Sequence, residues 1–249
     1  MQSLLQGDTK MKIDIWSDVI CPFCYIGKRK LEAALEQTGI EAQIEWHSFE
    51  LNPDSPRYYG VPLQELMSQL YRISPDRALE ILNHEEQEAR RVGLDFQWRI
   101  AKPGNTFDAH RLIHLAKHYG LLENEVKERF LRAYFTEGKD IGDPQILRAL
   151  AIETGLPPQE IDGVLSSDRF ADEVRTDELD ARNRGIRGVP YFVFNDQASI
   201  SGARDVEVFI NVLREQADLL AMQTGIDTGP EPASEDDEMC KDGFCEIKK

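Results

Sequence analysis

Cysteine is scarce in this sequence, with four in 249 residues, too few for the disulfide framework that staples small secreted domains. Positive charge is scarce as well. Lysine and arginine number 29 against 45 aspartates and glutamates, giving a formal net charge of -16, and nucleic acid is not expected as a partner because phosphate binding needs clustered cations. No apolar run approaches the length of a membrane span, so no membrane partner is expected either. The opening MQSLLQGDTKMKIDIW has no basic stretch, apolar core or small-residue cleavage site, which reads as the lack of a secretory signal and a cytoplasmic location. Thiols there are kept reduced, so a close cysteine pair points to catalysis or metal binding before structure.

What is present is a chain 41% hydrophobic, long enough for one large or two modest domains. Met11 to Ser17 alternates apolar and polar residues and predicts a strand; a helix follows from Pro22 to a stop at Gly39, then a second strand within Ile40 to Leu51. Strand, helix and strand in this space predict a βαβ unit with a parallel pair. From residue 54 to 185 the strand signal gives way to helical periods, with Ser74-Pro75 and Asp143-Pro144 as start signals and Gly120 and Gly155 as stops. Strands return at Tyr191 to Asn195 and Ala198 to Ser201, followed by an amphipathic helix over Asp205 to Met222. The expected organisation is therefore α/β, with residues 1–53 and 186–223 forming one discontinuous domain, 54–185 a helical insertion, and 224–249 an acidic, cysteine-containing flexible tail.

Cys21 and Cys24, in SDVICPFCYIG, stand where the first strand becomes the first helix. The thiolate is the nucleophile in disulfide exchange, and a helix N-terminus stabilises it through unpaired N–H groups and the helix dipole. A lowered thiol pKa is expected at Cys21. Cys24, one turn on, is placed to resolve a mixed disulfide. A zinc clip would have to recruit Cys240, Cys245 or histidines, and a structural disulfide does not suit a reducing compartment. Gly188-Val189-Pro190 opens the third strand. There a cis proline can turn the chain and leave the Val189 backbone free to pair with an extended peptide, although an edge-strand proline is the commoner case.

SDVICPFCYIG, FELNP (Phe49 to Pro53), NTFDAHRL (Asn105 to Leu112), GIRGVPYFVF (Gly185 to Phe194) and ISGA (Ile200 to Ala203) together resemble the DsbA-family oxidoreductases of the FrnE type. These are relatives of the 2-hydroxychromene-2-carboxylate isomerases, and the resemblance spans about residues 11 to 222. It implies a thioredoxin-like fold carrying the helical insertion, a nucleophilic Cys21, a resolving Cys24 and a cis Pro190. It also implies that Asn105, Thr106 and His110 face the thiol cleft. Phe23 stands where Trp is usual, and Arg204 where Gln is usual. The expected function is thiol–disulfide exchange on proteins, with glutathione or a thioredoxin-type protein as electron donor and no cofactor. A glutathione-dependent isomerase or transferase and a metal-sequestering thiol protein are the alternatives.

Trp16, Phe23, Tyr25 and Tyr191 flank the motif segments and offer an apolar platform for substrate. Asp18 reads as a proton acceptor near the thiols or as a helix cap. His110, His114 and His118 recur every four residues, which reads as a solvated or cleft-facing edge rather than a metal face. His47 reads as a structural histidine. Cys240 and Cys245, in CKDGFC, read as a second redox pair able to exchange with the first, since a small exposed loop gives a labile bond.

Overall fold

The computed structural model describes residues 10–120 and 123–224. Its sheet is built from β1 (Met11–Ser17), β2 (Ala42–Ser48), β3 (Tyr191–Phe194) and β4 (Ala198–Ser201), in the order β2-β1-β3-β4. β1 and β2 run parallel with Ile15 opposite Trp46, and β3 runs antiparallel to both of its neighbours. The parallel pair needs a crossover. It is supplied by α1 (Pro22–Thr38), which starts on Pro22 and ends where Gly39, at φ 66, donates its N–H to the Leu35 carbonyl. That left-handed stop suits glycine because it has no Cβ. The β3–β4 hairpin turns on Asn195 and Asp196, both at positive φ, as a tight two-residue turn requires. The Asn195 side chain also accepts the Lys12 N–H at 2.9 Å, tying the turn to β1.

Between β2 and β3 lie α2 (Leu63–Tyr71), α3 (Pro75–Arg91), α4 (Phe107–His118), α5 (Glu123–Phe135), α6 (Pro144–Glu153), α7 (Pro158–Leu165) and α8 (Ala171–Asn183). The Ser74 and Asp143 side chains accept N–H groups at the starts of α3 and α6, so both sequence start signals act as caps. α9 (Val206–Thr224) closes the described chain against α1.

Alternation along the strands separates Ile13, Ile15 and Trp46 on one face from Asp14, Trp16 and His47 on the other. On the first face the core is continuous. Ile13, Ile15 and Trp46 share one cluster with Leu112, Phe130 and Leu131 of the helical segment. On the other face Trp16 and Val193 pack with Ala181 and Ile186. Of the helices between β2 and β3, α3 to α8 thus contribute to the cores that cover the sheet. α1 lies tight over β3: a Cβ on Gly27 would come within 3.1 Å of both Phe192 and Pro190.

Candidate active site

Cys21 is the N-cap of α1, extended at φ -86 and ψ 116, with Pro22 in the first helical position. Its S–H donates to the Val189 carbonyl at 3.5 Å across 168 residues of chain. The Val189–Pro190 peptide bond is cis. Both thiols are free and buried, Cys24 the deeper, and the Cys24 N–H donates to the Cys21 carbonyl at 3.1 Å. The two segments that the sequence separates so widely therefore meet at one sulfur.

Beneath them is a floor of buried polar groups. Asp18 is wholly buried; it accepts the Val19 N–H at 2.7 Å and the Leu51 N–H at 2.8 Å, with His110 Nε2 at 3.2 Å. Burial pushes its pKa up, but the hydrogen bond from His110 and these donors bring it below the ordinary carboxylate value. His110 is itself held below its ordinary value by burial. A neutral imidazole beside a carboxylate must present N–H, so Nε2 is the donor. Asp18 does not cap α1, whose N-cap has no side-chain hydrogen bond.

Lys127, from α5, completes the floor. Its Nζ donates to the Ser17 carbonyl at 3.2 Å and lies 5.4 Å from the Trp46 ring centre. It is 1% exposed, and among the described residues no carboxylate pairs with it. Burial lowers its pKa to about 8, against the opposing charges of Cys24, Asp18 and Cys21.

The thiols differ from the sequence expectation in one respect. Hydrogen bonding with Cys24, together with burial, pushes the Cys21 pKa well above its ordinary value. Burial raises Cys24 too, but hydrogen bonding from Cys21 and the Lys127 charge outweigh it and leave Cys24 lowered. The expectation rested on the helix terminus alone; in the fold the hydrogen bond between the two sulfurs and, after it, the charge of Lys127 from the distant α5 act on the pair as well. The two sulfurs share one readily lost proton, and the second is held tightly.

Of the other expected site residues, Phe23 is 36% exposed beside the thiols and Val189 is half-buried. Tyr25 is not on the surface. It is 2% exposed, its hydroxyl donates to Glu128 at 2.6 Å, and its ring packs on Phe96 and Phe135. Trp16 is likewise buried, stacked on His47. The apolar platform is corrected to Phe23 with a half-buried Tyr191. Asn105 accepts the Phe107 N–H at 2.9 Å and reaches Glu50 at 3.4 Å, so it shapes the start of α4 next to the floor. The histidines of α4 do not form a solvated edge: His110 faces Asp18, His114 is buried on Ser48 and Asp177, and only His118 is exposed. Cys240 and Cys245 lie outside the described residues.

His47 sits between Asp14 at 2.8 Å and Asp177 at 3.0 Å. Burial lowers its pKa, but both carboxylates outweigh it and raise the value to about 9, so it is protonated. Asp14, Glu45 and His47 lie close enough to suggest a cation site. Their charges are taken: Lys12 pairs with Asp14 and Glu45, and Lys117 with Glu45.

Comparison with known proteins agrees with this geometry. The model of the DSBA-like thioredoxin domain matches residues 12–214. The chain belongs to that family, and with it to the disulfide oxidoreductases. A solved structure from Streptomyces coelicolor, described as a probable DsbA oxidoreductase, is 32% identical and superposes with a TM-score of 0.78, covering 96% of this chain and 100% of that one. YwbO of Bacillus subtilis, which is uncharacterized, is 29% identical over 206 residues, 82% of this chain and 96% of its own. The cytosolic disulfide reductase DsbM of Pseudomonas aeruginosa, solved with glutathione, is 16% identical with a TM-score of 0.58, covering 86% of this chain and 99% of that one, and so shares the fold.

Proposed function

We propose that this chain is a FrnE-type enzyme that exchanges disulfides of protein substrates in the cytosol through Cys21 and Cys24. The observation that carries the reading is the Cys21 sulfur at the mouth of α1, 3.5 Å from the Val189 carbonyl and backed by Cys24. An extended substrate pairing along Val189 would bring its disulfide to Cys21. In the reducing direction, Cys21 passes its proton to the Cys24 sulfur and attacks one substrate sulfur as the thiolate, and the substrate S–S bond breaks to release a thiolate that takes a proton from water. Cys24 then gives up its proton, attacks the Cys21 sulfur and releases the second substrate thiol. The enzyme ends as the Cys21–Cys24 disulfide, having delivered two electrons, and an external dithiol or two glutathione molecules reset it; oxidation of a substrate dithiol is the reverse. DsbM's cytosolic role and its complex with glutathione support both the compartment and the electron donor. In this reading the 54–185 segment selects substrates, and Cys240–Cys245 acts as a second pair that exchanges with the first.

Scrambled ribonuclease with a glutathione buffer tests the reading. Cys21→Ser should abolish reactivation, and Cys24→Ser should accumulate a mixed disulfide on Cys21. Reactivation untouched by Cys21→Ser would sink the proposal. The same assay on a chain ending at Gln223 isolates the tail pair, whose proposed role predicts slower turnover.

A further inference from the structure

Beside the thiols a cavity of about 160 Å³ opens between α2, α3, the end of α5 and the loop after β2. Ile20 and Pro22, the residues on either side of Cys21, form its edge. Its walls are mostly apolar, including Leu51, Leu63, Leu66, Met67 and Phe135. Glu85 of α3 also lines it, and among the described residues that carboxyl has no hydrogen bond or ion pair. Burial alone raises its pKa, to about 7. Other acids shielded from solvent have cationic partners: Glu50 pairs with Arg175, and Glu128 with Lys28 and Arg29. Tyr134, also on the cavity wall, lies close enough to feel both Glu85 and Asp18, so the cavity abuts the floor of the thiol site.

We propose that this cavity is a subsite for a lysine or arginine side chain of the substrate polypeptide, close in sequence to the cysteine under attack. The inference rests on the reading of polypeptide disulfides as substrates. Lysine and arginine join a long aliphatic stem to a cation. The stem covers the apolar walls, and the cation supplies the partner that Glu85 lacks. An apolar occupant leaves a carboxyl buried and unpaired, and an acidic one adds repulsion. The net charge of -16 draws cationic segments toward the protein over longer range.

The test uses the full chain and fluorescein-labelled peptides in which serine replaces the target cysteine, so that binding is read without redox chemistry. Lysine, norleucine or glutamate is placed in turn at each of the neighbouring positions. At one of them lysine should bind about tenfold tighter than norleucine, the factor that one charge-assisted contact of about 1.4 kcal/mol represents, with glutamate weakest. Glu85→Gln, checked for folding by circular dichroism, should remove the lysine advantage. In the unaltered protein, carbodiimide should couple the bound lysine peptide to Glu85. Equal binding of lysine and norleucine, an advantage that survives Glu85→Gln, or coupling only at other carboxyls would overturn the subsite. Exchange rates with the corresponding cysteine peptides report separately: selective binding without exchange would reject the redox reading and leave the subsite standing.

Discussion

Two buried clusters of charge sit against β1 and the strands beside it, and they are put together differently. On the Trp16 side, protonated His47 lies between Asp14 and Asp177, Lys12 adds a second cation to Asp14, and His114 reaches Asp177. Every charge has an opposite, and the contacts run from β1 and β2 to α4 and α8. Under the thiols, Asp18 is served by backbone N–H groups and a neutral histidine, while among the described residues Lys127 has only a carbonyl and an aromatic face. Its charge is left to act on Asp18 and the two sulfurs. A saturated cluster holds elements together; an unsaturated one leaves a field at the reacting atoms. Both bury ions at a cost that pairing only partly offsets, so the difference lies in what each charge is free to influence.

The largest expected effect comes from breaking the saturated cluster. His47→Leu leaves Asp14 and Asp177 buried without their shared cation, and the loss of stability should be about 3 to 5 kcal/mol, read from urea denaturation. Thiol titration should not move. A change in thiolate pKa comparable to that from altering Lys127 would show that the clusters are not separate in function.

The next effect is a pH dependence. The folded-state pKa of His47, about 9, is raised above its unfolded value near 6.5, so its contribution is fully present below that unfolded value and is lost as pH rises through 9. The stability gap between the unaltered protein and His47→Leu should therefore shrink by about 2 kcal/mol from pH 7 to pH 9. Lys127 has a lowered folded-state pKa, and its opposite slope is common to both proteins and cancels in the difference. A gap that stays constant with pH would mean that His47 is neutral in the fold.

Local signals carried much of this into the sequence. The cysteine pair, Pro22, Gly39 and the period-two pattern of Met11 to Ser17 are sufficient in themselves, because caps and strand alternation act over a few residues. The same limited range explains what was misread. α4 looks amphipathic, yet it is packed by α5, α7 and α8, so His110 and His114 are buried. Tyr25 adjoins the motif but turns into the Phe96–Phe135 stack contributed by distant segments. Lys127 had a signal that went unused: it falls in the apolar stripe with Phe130, Leu131 and Tyr134, where a solvated lysine does not belong. What it faces could not be read locally, since Ser17 lies 110 residues away. Glu85 has no such sign, because its isolation depends on which helices surround it.

The smallest effect is the one that tests what the unsaturated cluster is for. Lys127→Met removes the cation and fills its space with an apolar chain, which should change stability little, since burying that ammonium is itself unfavourable. Asp18 keeps its donors and stays ionised, so the sulfurs then face an uncompensated negative charge. The thiolate pKa should rise by about one unit, at the low end of what a neighbouring charge does, visible as a shift in the 240 nm titration. A less stable thiolate means a less stable dithiol form at neutral pH. The reduction potential should accordingly become more negative by about 30 mV, the equivalent of 1.4 kcal/mol for a two-electron couple, measured against glutathione buffers. If both quantities stay where they are while stability falls, Lys127 is a structural tie like His47, and the helix terminus alone sets the thiols.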